Sequence, residues 1–500
     1  MTIRRYQTPL NRQQEMLLPA RVDEYVGKNN MVRAVDAYVS TLDMEDLGFQ
    51  HTQSGIMAGQ PPYNPLALLK LYLYGYLQGI RSSRKLEREA FRNLEVIWLI
   101  EGLRPTYKTI ASFRKNNSSA LKLVNRDFVL LCKELSLLGG EEVAVDGSFF
   151  HADTNKDNIY TQEKLNKQLE HLDKKITDYQ QALAGQDATD NEAGKGGLIE
   201  DEALEEKLKL LKKKQADKNC LRQALKESGN KQISTIDEDA RLLSKRGKTI
   251  AGYNAQIAVD GKNKIIVADE VTQDGNDSQQ LAPMLKKAQE VLQSENLTGL
   301  ADTGYYEGNN LKECEEANIC VYVAIPNKNG QAIKQGLFTR GQFEYDTEQD
   351  VYICPEGIAL TSSGKPHKKN NKWLTQYRSQ ASSCHNCPSR EQCLSPKSKI
   401  KQIHRWEHES VIERHKARME KTSNEMTKRG AYVEHPFGTL KHRAGMHHFM
   451  MRGLEQCRGE FSLMVLGYNF TRAINLLGVE FLLKYCFRRQ ELAQQNNRCA

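Results

Sequence analysis

The sequence lacks long apolar runs and shows no pattern of paired cysteines. No stretch of eighteen apolar residues occurs among its 500 residues, so no membrane span is expected. The basic N-terminus, Met1–Tyr6, is not followed by an apolar stretch, so no secretory signal is expected. The eleven cysteines are an odd number, and most are scattered through apolar segments, which is typical of reduced thiols. These absences predict a cytoplasmic protein.

Composition predicts a soluble globular chain with a real core. Hydrophobic residues make up 39% and charged residues 27% of the chain, and the length suggests roughly three domains. The net charge is +8. Residues 361–405 alone hold ten Lys or Arg against a single acid, with Trp373, Tyr377 and Trp406 within or beside them. A basic stripe with aromatic residues favours binding to a phosphate backbone, and a solvated, flexible loop is the alternative.

The first 135 residues are predicted to be helical. Prolines at 61–65 precede the Leu-rich run 66–77, which fits the start of a helix, and Thr109 is the predicted cap of a later one. A helix-turn-helix that reads DNA and a module for packing or dimerisation are equally compatible with this pattern.

An inserted arm is predicted at 155–235. Apolar residues step by four and three along its first half, which is a heptad seam. A Gly-rich turn at 194–197 separates them from a second, highly charged helix. The pattern predicts two antiparallel helices, and the favoured interpretation is a solvated hairpin without a ligand rather than an arm that contacts DNA or a partner. The seam residues are Leu165, Leu169, Leu172, Ile176, Tyr179 and Leu183, and the second helix offers Leu204, Leu208, Leu211 and either Leu221 or Leu225.

The remaining segments predict an α/β core. A strand is expected at 142–149, and two β-rich runs within Ile250–Val271 flank a hairpin turn at 260–264. A helix from Asp277 to Leu292 and strands at 297–302 and 320–326 should follow. A Cys-rich basic insertion at 335–405 then leads to a long polar helix from 406 and an apolar helix within 459–485.

Three acids stand in short motifs within this core. Asp146 and Asp302 follow apolar runs that predict buried strands, and Glu434 lies on a predicted helix. Three carboxylates from two strands and a helix suit a pair of hard divalent cations, which can activate water or a 3′-hydroxyl for attack on a phosphodiester. A lone Asp after a strand is often only a turn former.

These motifs, in this order, resemble the DDE transposases of bacterial insertion sequences, and most closely the insertion-sequence eleven-eighty-two group. The resemblance covers most of the chain, including Gly79–Glu87, Thr109–Arg114, Gly252–Asp260 and the segment around Glu434. It implies an RNase H-like catalytic domain at 136–500, interrupted by the helical hairpin and the Cys-rich insertion, after an N-terminal helical domain at 1–135 for DNA binding or assembly.

The resemblance also implies the roles of individual residues. Asp146 would bridge two Mg²⁺ or Mn²⁺ ions, with Asp302 on one ion and Glu434 on the other. Arg429 and Lys441 would contact DNA phosphates beside the scissile bond, although a helix-surface charge is the alternative for Lys441. Within the basic insertion, the expected DNA contacts are Lys368, Lys369, Lys372 and Arg378.

Four cysteines in the insertion have spacing that suits a structural zinc ion. Cys384 and Cys387 form a C-x-x-C pair, with Cys393 after it and Cys354 before it. His367 and His385 are alternative ligands, and four reduced thiols without metal are the other interpretation.

The function implied is that of an enzyme that cuts at insertion-sequence ends and joins the 3′ ends to target DNA. Its partners would be double-stranded DNA, carrying terminal inverted repeats or a target, and a second copy of the chain. We expect a nucleoid-associated location in a bacterial cytoplasm. The alternatives are a DNA-binding regulator on an inactivated transposase scaffold and a metal-dependent nuclease without strand transfer.

Overall fold

A computed structural model describes residues 21–52, 61–190, 198–245, 247–327, 330–369, 372–422 and 424–499. In this part of the chain no helix is long and apolar enough to cross a membrane. These residues form a mixed α/β structure with two sheets of six strands and a small third sheet.

Six α-helices precede the first strand among the residues that the structure describes. The cap of α5 is Thr106, whose Oγ1 accepts a hydrogen bond from the Thr109 N–H, so the predicted cap at Thr109 is wrong by one turn. Helix α2 is buried on most sides, which explains its almost uniformly apolar sequence. The helices are α1 (Met31–Val39), α2 (Pro65–Leu77), α3 (Ser83–Arg92), α4 (Leu94–Leu99), α5 (Tyr107–Asn116) and α6 (Ser118–Glu134).

The central sheet has the order β4-β5-β1-β7-β8. β4 pairs with residues 248–252 of β5, and β6 pairs with residues 254–259 of the same strand. β1 lies antiparallel to β5 and parallel to β7, and β7 is parallel to β8. The predicted hairpin is present as β5 and β6. The strands are β1 (Glu142–His151), β4 (Arg241–Lys245), β5 (Lys248–Asp260), β6 (Ile266–Thr272), β7 (Thr298–Ala301) and β8 (Cys320–Val323).

Helices cover both faces of this sheet. α9 (Leu281–Leu292) and α10 (Gly308–Glu316) bury one face, with Val143 and Val145 of β1 in that core. Ala144 and Phe150 face the opposite core, which they share with the N-terminal helices and the C-terminal helices. The N-terminal helices therefore pack directly on the sheet. The boundary expected at residue 135 remains a prediction.

Four α-helices lie in the described residues from 407 to 499. α14 (Glu409–Glu420) and α15 (Glu425–Gly438) replace the single polar helix predicted from residue 406. A short π-helix, Thr439–Arg443, follows α15. α16 (Leu454–Leu477) is largely buried, and α17 (Val479–Cys499) packs on α1.

Two long helices form the arm between β1 and β4. α7 (Gln162–Asp190) contacts α8 (Leu198–Glu227), and the short strands β2 (Ile159–Thr161) and β3 (Gln232–Ser234) pair at its root. Leu165 and Leu225 are buried there beside Tyr160. The linker 191–197 and the side chains of Leu183 and Leu204 lie outside the described residues.

The Cys-rich insertion is a folded sheet rather than a solvated loop. Its strands have the order β12-β13-β11-β10-β9, with β14 beside β13, around a small aromatic core that includes Tyr352 and Tyr377. The strands are β9 (Glu344–Asp346), β10 (Val351–Ile353), β11 (Ala359–Ser362), β12 (His367–Lys369), β13 (Lys372–Arg378) and β14 (Gln402–Trp406). The short helices are α11 (Gly330–Lys334), α12 (Ala381–His385) and α13 (Arg390–Cys393).

Candidate active site

Two of the predicted acids lie side by side on neighbouring parallel strands. Asp146 is in the middle of β1, and Asp302 follows the last residue of β7. Because Ala144 of β1 pairs with Leu300 of β7, Asp146 and Asp302 each lie two residues after a paired position, at the same level of the two strands. The Asp302 carboxylate is fixed because its Oδ1 accepts the Gly304 N–H at 2.8 Å.

One guanidinium joins these two carboxylates. Arg429 of α15 donates from Nη2 to Asp146 Oδ1 at 2.7 Å and lies 3.7 Å from Asp302 Oδ2. Burial raises the pKa of Asp146 to about 6, although Arg429 opposes this shift. The two carboxylates therefore bind a single positively charged group between them.

Glu434 lies on the exposed surface of α15, five residues after Arg429. Within the described ranges no group of three or more His, Cys, Asp or Glu is arranged to hold a metal ion. The structure thus brings Asp146 and Asp302 together but does not close a three-acid metal site with Glu434. The catalytic role of the three residues remains a proposal.

Lys441 contacts β1 rather than pointing into solvent. Its Nζ donates to Ser148 Oγ and to the Phe149 carbonyl, both at 2.6 Å. Burial lowers its pKa to about 8, and Lys245 contributes to that shift. Lys441 is therefore half-buried against β1, and its contact with DNA remains a prediction.

A buried polar network supports the two aspartates from the other side of the sheet. Asp277 Oδ1 accepts the side-chain amides of Asn254 at 2.8 Å and Gln256 at 2.7 Å, and the Tyr305 hydroxyl donates to Gln256. A Cβ at Gly147, the residue after Asp146, would come within 2.7 Å of Asp277 Oδ1 and would also collide with Gln256. The network therefore fills the space directly behind the backbone of Asp146.

The sequence favours a structural or supporting role for Asn254 and Asp277, and both lie in this network, whereas the roles of Gln256 and Lys245 are not predicted. Asp277 was predicted to begin a helix, but α9 begins at Leu281 and the carboxylate turns into the network instead. Lys245 Nζ lies 3.6 Å from Asp277 Oδ2 and acts electrostatically on Asp146. The short polar spacing Asn254-x-Gln256 inside a buried strand is a further sequence signal for this network.

The basic residues predicted to bind DNA in the insertion differ in their surroundings. Lys368 and Lys369 are exposed on β12, and Arg378 is exposed at the end of β13. Lys372 instead forms an ion pair with Glu307 at 2.6 Å and lies over the Trp406 ring. Lys372 thus joins the insertion to the loop after Asp302.

The four clustered cysteines line one small cavity in the insertion. Cys354 Sγ accepts the Ile358 N–H at 3.3 Å, and Cys384 Sγ lies 3.0 Å from Ser379 Oγ. Burial raises the pKa of Cys393, and the other three thiols also raise it. In the part of the chain that the structure describes, the four thiols do not form a group arranged to hold a metal ion. No disulfide occurs among the described cysteines.

Two family models match the chain. A transposase DDE domain matches residues 353–474, which include Glu434 and the four cysteines, and a transposase domain, DUF772, matches residues 20–116. Asp146 and Asp302 lie outside both matched segments. No curated protein matches the chain.

One solved structure is similar, a cryo-EM structure of the piggyBac transposase synaptic complex with hairpin DNA. The alignment has 8% identity, covers 93% of this chain and 80% of the other, and gives a TM-score of 0.31. That score is too low to support an argument about fold or function.

Proposed function

We propose that this chain, which belongs to the DDE transposases, binds the ends of an insertion sequence, cleaves phosphodiester bonds there and joins the 3′ ends to target DNA. The observation that carries the proposal is the pair of carboxylates of Asp146 and Asp302. Both contact the guanidinium of Arg429, which lies on the same helix as Glu434. The strand order, with an antiparallel hairpin beside three parallel strands, supports an RNase H-like core.

The acids fit Mg²⁺ or Mn²⁺. Carboxylate oxygens are the ligands that hard divalent cations prefer, and the two aspartates already bind a cationic side chain. Two such ions supply activation of the attacking oxygen and stabilisation of the leaving oxygen. Asp146 would contact both ions, Asp302 one and Glu434 the other.

The chain's own basic residues would orient the DNA. Arg429 must release the aspartates before they bind metal, and a phosphate beside the site is a suitable new partner for its guanidinium. Lys441, next to the β1 backbone, would position a second phosphate. Lys368, Lys369 and Arg378 would hold DNA farther from the bond that is cut.

The cysteine cavity is proposed to close around one zinc ion through small side-chain rotations of Cys354, Cys384, Cys387 and Cys393. A small basic sheet with few apolar residues gains stability from such a link. Purified protein should contain about one zinc per chain. Metal-free protein with an intact insertion would show that the thiols stay reduced without metal.

The proposed partners are duplex DNA and a second copy of the chain, because two ends of an element must be handled together. Nucleoid association in the cytoplasm is part of the same proposal.

The test is an assay with duplexes that carry the terminal repeats flanking the reading frame. We expect Mg²⁺-dependent cleavage at the repeat end, followed by joined products with target DNA. Cleavage without joining would identify a nuclease instead. Specific binding without cleavage would identify a regulator on an inactive scaffold.

A further inference from the structure

The charges of the second helix of the arm are segregated: five acids lie between residues 200 and 206, and the basic residues follow them. Between Lys207 and Lys226, α8 has eight Lys or Arg and a single acid, Asp217, a net charge of +7. α7 is balanced by comparison, with four lysines and four acids between residues 162 and 181. The basic stretch is therefore the part of α8 that leads back to the root of the arm.

The two helices enclose a groove that gathers this charge. Its volume is about 890 Å³, and its charged lining consists of Lys164, Lys167, Lys214 and Lys218 with one acid, Glu163. Glu163 is neutralised by Lys167, 2.6 Å away. Because Lys214 and Lys218 are four residues apart, they lie one turn apart on the same face of α8. The groove therefore presents a row of cations to anything that enters it.

The base of the groove is rigid. Leu165 and Leu225 are buried at the root of the arm, and Lys164 Nζ donates to three backbone carbonyls between residues 156 and 159. The ammonium groups of Lys164 and Lys218 lie 4.7 Å and 3.8 Å from the centre of the Tyr160 ring. Basic side chains that are held in place lose less entropy when they bind a ligand.

The root also connects the groove to the candidate active site. The chain enters the arm from β1, which carries Asp146, and returns to β4, which ends at Lys245 beside Asp277. α8 has 30 residues, so it extends for roughly 45 Å. A ligand that lies in the groove and also reaches the candidate active site must be long. The lysines that line the groove favour a ligand with many negative charges.

We propose that the groove between α7 and α8 binds the phosphate backbone of duplex DNA outside the segment that is cut. This inference rests on the proposed function, since the DNA is taken to be the same molecule. Contacts to phosphate alone carry no sequence information, so the arm would add affinity without specificity.

The test compares two triple variants of the full chain. Lys167→Gln, Lys214→Gln and Lys218→Gln remove charge from the groove but leave Lys164, which holds the root. Lys286→Gln, Lys312→Gln and Lys484→Gln make the same change in net charge at exposed or half-buried positions elsewhere. Binding to a duplex of about 50 base pairs is measured against salt concentration, because each lost phosphate contact lowers the salt slope by about 0.9.

The groove variant should lower the slope by about 2 to 3 relative to the control, while cleavage of a duplex too short to reach the arm stays normal. Replacing the same three lysines with Arg should preserve the slope, which separates loss of charge from misfolding. Equal slopes for the groove and control variants would overturn the inference, as would a loss of dimerisation with unchanged DNA binding. A shifted slope in protein that never cleaves DNA would support the groove and refute the proposed enzyme.

Discussion

Glu460 is expected to be the most sensitive acid in the protein for stability. Its carboxylate is fully buried in α16, where Oε2 accepts the N–H groups of Met450 and Met451 and Oε1 lies 3.7 Å from Arg81 and 3.6 Å from Arg114. Glu460→Gln keeps the shape but leaves two buried guanidinium groups without a counter-charge. Removing one partner from a buried ion pair costs about 3–5 kcal/mol, and we expect a loss of free energy of unfolding in that range.

Urea unfolding and hydrogen exchange at residues 450–451 measure the effect. The matched control is Glu455→Gln, on the same helix. Glu455 is 51% exposed and pairs with Arg458 at 2.6 Å, so its loss should cost at most about 1 kcal/mol. If the two variants were equally stable, the buried cluster would not join the N-terminal helices to α16 as described.

Three further outcomes follow from the same contacts. Asp277→Asn should raise the Mg²⁺ concentration needed for half-maximal cleavage by roughly 10- to 100-fold with DNA affinity unchanged, and an unchanged metal dependence would contradict its supporting role. Burial lowers the pKa of His415 to about 4, and its Nε2 accepts the Val323 N–H, so the unfolded chain binds this proton near pH 6.5 but the folded chain does not. Stability should therefore fall by about 3 kcal/mol between pH 7 and pH 4, and a His415→Gln protein should show a correspondingly flatter curve in urea titrations at each pH. Gly147→Ala should impair cleavage and stability together because a Cβ there meets Asp277 and Gln256, and an active, stable variant would show that the network can move aside.

The sequence predicts those elements that are determined by residues close together in the chain. Two β-rich runs and a turn signal at 260–264 predicted the β5–β6 hairpin, and the heptad seam predicted two helices in the arm. The polar helix predicted from residue 406 is interrupted between Glu420 and Glu425, where charged residues on both sides conceal the break in the pattern.

Contacts between distant residues could not be predicted in this way. Arg81 and Arg114 stand in two separate N-terminal motifs, and only the fold shows that both reach Glu460, more than 340 residues later. The turn of Asp277 into the site depends in the same way on Asn254 and Gln256 of another strand. A sequence pattern records the period of an element but not which elements meet.

The central claim is that Asp146, Asp302 and Glu434 together carry metal-dependent cleavage. The most direct measurement compares Mg²⁺-dependent cleavage rates and DNA affinities of Asp146→Asn, Asp302→Asn and Glu434→Gln with those of the unchanged protein. We expect cleavage to fall by several orders of magnitude in all three, while DNA binding stays normal or tightens slightly because negative charge near phosphate is lost. A Glu434→Gln protein that cuts at the unchanged rate would contradict the account, and Glu425 at the start of α15 would then be the next acid to test.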